Sequence, residues 1–194
     1  MTRKIIKTKF QRKSFNRQIS AYFKGEMPSN ENFYLGLVPK ILNKHGIVGF
    51  KLVMSQKTFE KITNLEYGHH LSRKVIKKLP KFMKRPYLVL KGSLENTLVE
   101  IIGLKDYKKR DILVAIRLDA KEAYTDVTRV TSVYGKKGLN NYLLSSNHIV
   151  LDVYNKKKTN RWLVNKGLQL SKFPSANDLS CTYIICEISG NINT

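Results

Sequence analysis

Residues 72–91 read SRKVIKKLPKFMKRPYLVLK, and the change of period inside this stretch decides the fold class. Ser72 is a helix-capping residue, and Val75, Ile76, Leu79, Phe82 and Met83 follow it at helical spacing. Pro80 has no amide proton to lose in a first helical turn, so the spacing predicts two short helices, the second starting at the proline. From Tyr87 to Lys91 the period shortens to that of a strand, closed by Gly92-Ser93. The other face of the helical part carries Arg73, Lys74, Lys77, Lys78, Lys81, Lys84 and Arg85 with no acid among them. Such a face is either solvated or anion-binding, and the absence of any interspersed Glu favours binding.

Beyond this stretch, residues 97–102, 112–118, 129–134, 149–154 and 182–188 are further strand runs, with short helices predicted over 139–145 and 157–166. Ahead of it, Phe33, Leu37, Ile41 and Leu42 fit a helix over about 31–45 that stops at Gly46. Val48 to Met54 reads as a strand, and Ser55 caps a short helix carrying Phe59 and Ile62 that ends near Asn64. Helices first and strands afterwards predict one α+β domain over residues 29–194, with a mainly antiparallel sheet. Met27-Pro28-Ser29-Asn30 has turn chemistry and sets off residues 1–28 as a basic arm, with Phe10, Phe15, Tyr22 and Phe23 between its cations. The arm is either a solvated tail or a segment that orders on a nucleic-acid backbone and stacks its rings on bases.

The 194 residues hold 36 Lys and Arg against 14 Asp and Glu, a formal charge of +22 that far exceeds what solubility needs. Such a field concentrates phosphate polymers and draws binding energy from released counterions, so nucleic acid is the expected partner, ahead of acidic protein or a membrane surface. A hydrophobic content of 42 % suffices for a core at this length and excludes a wholly disordered basic tail. No run approaches the roughly 18 apolar residues of a membrane span, and the opening MTRKIIKTKFQRKSF lacks the apolar centre of a secretory signal. Cys181 and Cys186 alone make no disulfide framework, which points to a reducing compartment. The expectation is a cytoplasmic protein without membrane contact.

His45, His69, His70, His148 and the two cysteines have no zinc spacing, and no carboxylate pair suggests a Mg²⁺ nuclease. Phosphate-loop and dinucleotide fingerprints are absent, so neither metal nor cofactor is expected. A metal-independent ribonuclease needs less: groups that take the 2′-hydroxyl proton, protonate the leaving 5′-oxygen and steady the crowded phosphate. His69 and His70, in Tyr67-Gly68-His69-His70-Leu71-Ser72, stand just before the cationic helix, either as proton-transfer groups or as a pair in an exposed turn. On a strand, Ser132 and Tyr134 share a face with Thr128 and Val130, while Arg129, Thr131 and Val133 take the other. Hydroxyls two apart with Lys136 beyond them suit a phosphate, or are ordinary strand residues. A third element, Lys156-Lys157-Lys158-Thr159-Asn160-Arg161-Trp162, predicts a helix anchored by Trp162, with Lys156, Lys157, Lys158 and Arg161 extending the basic surface.

The strings Leu37-Val38-Pro39-Lys40-Ile41-Leu42, His69-His70-Leu71-Ser72 with Leu79-Pro80 and Arg85-Pro86, Thr131-Ser132-Val133-Tyr134-Gly135-Lys136, and Trp162-Leu163 with Gly167-Leu168-Gln169-Leu170 follow in a telling order. That order resembles the C-terminal domain of phage MuF-type proteins, a group placed in the broad class of barnase, EndoU, colicin D and RelE-like ribonucleases. The likeness spans about residues 33–172 and leaves the arm and the tail outside it. It implies helices before a twisted antiparallel sheet, and a metal-free RNase activity of the kind used by phage or mobile-element toxins. By position His69 matches the histidine of the family's His-x-Leu-Ser string, and Ser132 and Tyr134 match its Ser-x-Tyr strand. His70 occupies the variable position and stands as its rival, while Arg129 and Lys136 are phosphate contacts by proximity only.

Two functions follow as expectations. The first is a phage or mobile-element endoribonuclease that leaves a 2′,3′-cyclic phosphate, with RNA favoured over DNA because RNA supplies its own nucleophile. The second is a non-catalytic basic nucleic-acid-binding protein, such as a phage-encoded inhibitor of a host nucleic-acid-guided defence complex.

Overall fold

Ser72 opens a helix as its chemistry requires, its Oγ accepting the Val75 amide at 3.4 Å. The computed structural model describes residues 7–45, 51–66, 70–122, 125–145, 149–172 and 183–188. In chain order they form α1 (Phe15–Phe23), β1 (Asn32–Leu37), α2 (Lys40–Asn43), β2 (Lys51–Ser55), α3 (Gln56–Thr63), α4 (Arg73–Ile76), α5 (Leu79–Met83), β3 (Leu88–Lys91) and β4 (Thr97–Lys105). Then come β5 (Asp111–Glu122), β6 (Thr125–Gly135), α6 (Leu139–Leu144), β7 (Val150–Asp152), α7 (Lys156–Val164), β8 (Leu168–Lys172) and β9 (Tyr183–Glu187). The cationic stretch divides into α4 and α5 just before Pro80, with Ile76, Leu79 and Met83 buried and its lysines outward, as the spacing predicts.

The described strands form one sheet in the order β1-β2-β6-β5-β4-β3-β7-β9-β8, antiparallel throughout except where β2 runs beside β6. The fold is α+β on a large, mostly antiparallel sheet. Side chains alternate across a strand, so the central strands feed a core on either side, and Val53, Ala120 and Val127 make a third, smaller buried cluster. Leu52, Met54, Val89, Val114, Val130 and Val133 point to the side covered by α1 to α5. Leu88, Leu90, Ile101 and Leu113 point the other way, under Leu143 of α6 and Leu163 of α7. This second cover thins towards β6, where Ala115, Ser132 and Arg129 stay half-buried and Arg117 is exposed. Among the described residues no helix is long and apolar enough to cross a membrane.

Two expectations change. Residues 31–45 do not make one helix: Asn32–Leu37 is a strand, and only Lys40–Asn43 is helical. Phe33, Tyr34 and Leu35 are buried in succession, which suits a strand covered on both faces and not a one-sided helix. Gly36 stands at φ 130° where the β1–β2 register shifts, and Pro39 sits ahead of the helix, where its ring is tolerated.

Nor does the segment 1–28 stand off as an arm over its described part. Phe10, Ile19 and Ala21 are buried, and the rings of Phe10, Phe15 and Tyr22 lie 6.5, 6.3 and 5.6 Å from Phe33, which itself stacks on Phe59 at 4.3 Å. Each such side chain contributes about 1.5–3 kcal/mol on burial, enough to hold a segment that its charge alone would leave in solvent. Gln18 completes the docking, its Oε1 accepting the Tyr34 amide at 2.8 Å and its Nε2 donating to the Tyr34 carbonyl at 3.2 Å. Those bonds occupy edge strand β1, which otherwise offers its backbone to another chain.

Gly135 closes β6 directly against the Asp106 carboxylate. That carboxylate is held by the Lys108 and Arg110 amides at 2.9 and 2.8 Å and by the Arg110 guanidinium at 2.6 Å. A Cβ has no room there, so Gly135→Ala is expected to destabilise the fold by about 1–3 kcal/mol in urea titrations. An unchanged midpoint would mean that the Asp106 loop yields freely.

Candidate nucleic-acid interface

Between Ser132 and Val130 strand β6 carries one residue more than β5, and a second irregularity between Arg117 and Ala120 restores the register. Tyr134 pairs with Leu113, Ser132 with Ala115, Val130 with Ile116 and Arg129 with Arg117, so Thr131 faces no residue of β5 and the ladder bulges. The bulge resets the alternation. Arg129, Ser132 and Tyr134 therefore lie on one face, and Thr128, Val130 and Val133 enter the core on the helix-rich side. Plain alternation, which sets Arg129 apart from Ser132 and Tyr134, fails here for that reason. The Thr131 hydroxyl donates to the Ala115 carbonyl at 3.2 Å and ties the bulge to β5.

This more open face is thus a ladder of three rungs about 7 Å apart, Arg129 beside the exposed Arg117, Ser132 beside the half-buried Ala115, and Tyr134 beside Leu113, which is already buried. Arg129 belongs to its far end: its guanidinium donates to the Lys121 carbonyl at 2.7 Å, and its Nε is buried without a partner. Tyr134 belongs to the upper end, where β3 and β5 begin and β4, β6 and β7 stop. Burial pushes the Tyr134 phenol above its ordinary pKa, and burial together with the neighbouring Tyr134 pushes that of Tyr142 up to about 12. Both phenols keep their protons at neutral pH and act as hydrogen-bond donors. Lys136 lies 4.7 Å from the centre of the Tyr142 ring.

Next to them Asp111 gathers charge. It accepts from Lys105 at 2.8 Å, Lys166 at 2.7 Å and the Trp162 indole at 3.3 Å. Trp162 stacks on Tyr87 with centroids 4.9 Å apart, Lys166 lies 5.2 Å from the Trp162 ring and Lys158 lies 5.4 Å from the Tyr87 ring. Asn155 caps α7 by accepting the Lys158 amide at 2.9 Å, and Lys156, Lys157, Lys158 and Arg161 are all exposed.

The helix-rich side holds the candidates of α4 and α5. Arg73, Lys74, Lys77, Lys78 and Lys81 are exposed on α4 and α5, with the Arg73 guanidinium 3.5 Å over the Phe23 ring. His70 lies at the start of this stretch, its Nδ1 3.0 Å from the Thr63 carbonyl and its ring edge-on to Tyr107 at 5.9 Å. A carbonyl only accepts, so Nδ1 carries the proton in the neutral ring and Nε2 is the basic nitrogen. His69, His148 and Cys181 lie outside the described residues.

Ser132, Tyr134 and Lys136 thus follow one another towards the upper end of β6; the α4–α5 cations stand on the helix-rich side, and His70 meets the β4–β5 turn through Tyr107, one residue from the Asp106 that abuts Gly135. Sequence reasoning missed Arg117, Tyr142, Tyr87 and Asp111. Alternation along β5 was a usable signal for Arg117, which falls in phase with Leu113 and Ala115; the others meet only through tertiary packing. Among the described residues no group of three His, Cys, Asp or Glu is placed to hold a metal ion.

A family model described as the phage MuF-C-terminal domain matches residues 60–162, just over half of the chain and the whole run from α4 through β6 to Trp162. No curated protein and no solved structure matches the chain.

Proposed function

The chain belongs to the phage MuF-C-terminal domain family, and on that premise we propose that it binds RNA on the open sheet face and cleaves it there without a metal ion. The observation that carries this reading is the bulge at Thr131, which lines up the half-buried Arg129, Ser132 and Tyr134 on one face. A phosphate at the upper rungs meets the Ser132 hydroxyl, the protonated Tyr134 phenol and the Lys136 ammonium. In the reaction the RNA 2′-hydroxyl attacks phosphorus, the bond from phosphorus to the 5′-oxygen breaks, and a 2′,3′-cyclic phosphate forms. Tyr134 gives its proton to the departing oxygen, an imidazole of the His69-His70 pair takes the 2′-hydroxyl proton, and basic side chains balance the charge on the crowded phosphate. An RNA target places this work in the cytoplasm.

A second reading, binding without turnover, is favoured by one observation: the His70 imidazole is already engaged, its Nδ1 by the Thr63 carbonyl and its ring by Tyr107, neither of which is a candidate group. In that reading the chain occupies nucleic acid or the nucleic-acid groove of a host defence complex.

Purified protein incubated with RNA and EDTA separates the two. Cleavage is expected to leave cyclic phosphate ends and to slow by about 10²-fold in Tyr134→Phe, with RNA affinity retained. Binding without cleavage in the unaltered protein selects the second reading. Absence of both binding and cleavage defeats the two together.

A further inference from the structure

We infer that a single-stranded RNA follows one continuous track, from the α4–α5 face round the upper end of the sheet to the open-face site. This rests on the RNA-binding part of the reading above and adds the route and the strandedness of the substrate.

The two basic helices lie on opposite faces of the sheet, yet their ends meet. The α5 helix ends at Met83, Lys84 and Arg85 follow it, and the chain enters β3 at the upper end; β7 stops at that same end, and the chain passes through Tyr154 into α7. There the Arg85 guanidinium lies 5.9 Å from the centre of the half-exposed Tyr154 ring. From this junction the Lys158–Tyr87–Trp162–Lys166 stack leads on towards Tyr142 and Tyr134, with which Tyr87 and Trp162 share one apolar cluster.

Charge and rings alternate along this path. Arg73 covers Phe23, Arg85 covers Tyr154 and Lys158 covers Tyr87. Between the first two, Lys74, Lys77, Lys78 and Lys81 are exposed and none is in a salt bridge with a described residue. Cations beside rings such as the part-exposed Phe23 and Tyr154 are what a single strand uses, because its bases are free to stack on a side chain.

The bend selects the strand number. With layers about 10 Å apart, the path turns back on itself across about 20 Å. A duplex, stiff over about 150 base pairs in the case of DNA, does not follow so tight a turn without large deformation. A flexible single strand does. An acidic protein segment matches the charges but leaves the rings without stacking partners.

The test is anisotropy with the full chain and 2′-O-methyl oligouridylates of about 4 and about 16 nucleotides, lengths that bracket a short site and a long track. The methyl group removes the nucleophile, so only binding is read. The long probe is expected to bind at least about tenfold tighter than the short one, at one strand per protein. Changing Lys74, Lys77, Lys78 and Lys81 together to Gln should weaken the long probe on the order of 10²-fold and lower the slope of log affinity against log salt by about 3. The short probe, held at the open face, should shift less than about twofold. Arg85→Ala with Tyr154→Ala, both at exposed positions, should bring the long probe about tenfold closer to the short one.

Equal affinity for both lengths, two strands per protein, a duplex bound as well as the single strand, or polyglutamate competing as strongly as RNA each overturns the track. Loss of cleavage in Tyr134→Phe does not bear on it. If no oligonucleotide binds at all, the RNA reading itself falls as well.

Discussion

Glu100→Leu is expected to raise the stability of the fold by roughly 1–3 kcal/mol, the cost of a buried polar group left without a partner. Glu100 lies within β4, paired with Val89 and Val114, fully buried, and neither carboxyl oxygen has a hydrogen-bond partner. Desolvation lifts its pKa well above the ordinary 4.5. The folded protein therefore holds a proton that the unfolded chain releases near that value. A raised folded pKa gives stability that is fully present below the unfolded pKa and is lost as pH rises through the folded one. Stability should fall by about 1.4 kcal/mol per pH unit above about pH 4.5 until the folded form ionises. Both Glu100→Leu and Glu100→Gln should remove that slope, and only Leu should also remove the unsatisfied polar group. Urea titrations across this pH range in the three proteins measure it. A wild type with no such slope, or a Leu variant less stable than wild type at neutral pH, would refute the assignment.

Asp111→Ala is expected to cost about 3–5 kcal/mol, because it leaves the Lys166 ammonium, only 19 % exposed, without its carboxylate. Lys105 contributes less, since it is half in solvent. The Trp162 indole loses its acceptor in the same variant, and as the single tryptophan of the chain it reports the change by a red-shifted emission. Burial alone would raise the Asp111 pKa; the hydrogen bonds and charges of Lys105 and Lys166 outweigh it and leave the pKa lowered. A lowered folded pKa gives stability present above the unfolded value and lost as pH falls through the folded one, so wild type should lose this contribution below about pH 4. Urea titrations of wild type and Asp111→Ala from pH 7 to about pH 3 should converge in the acid. Parallel curves would show that the network contributes nothing.

Much of the helix pattern was legible because capping and apolar spacing are local. Ser55 and Ser72 cap where their side chains predict, with Oγ to amide distances of 3.1 and 3.4 Å, and Pro80 divides α4 from α5. The strand runs from Tyr87 to Tyr154 overlap β3 to β7, stopping three or four residues short at one end of β4, β5 and β6, and α6 lies where residues 139–145 predicted it. Strand β8 was missed, although Leu168, Leu170 and their polar neighbours alternate, because a five-residue run after a helix carries little signal until β9 pairs with it.

The candidate site was legible by residue type and not by placement. Ser132, Tyr134 and Lys136 do sit together, but the face that Arg129 shares with them depends on one bulged residue, and a bulge has no periodic signature. The rings of residues 10–22 carried the same composition whether they were to meet bases or Phe33; only packing distinguishes the two. Lys166 and Asp111 are distant in the chain, and their bond at 2.7 Å belongs to no local pattern.

From the sequence alone come the charge, the alternation of helix and strand signals, the cationic face of α4–α5 and the family likeness, because each rests on residue chemistry at short range. Tertiary structure alone decided that residues 10–23 join the core, that a bulge sets the phase of β6, and that two basic helices on opposite faces meet at one end of the sheet. Those features arise from contacts between segments far apart in the chain, whose free energy is realised only when the sheet has brought them together.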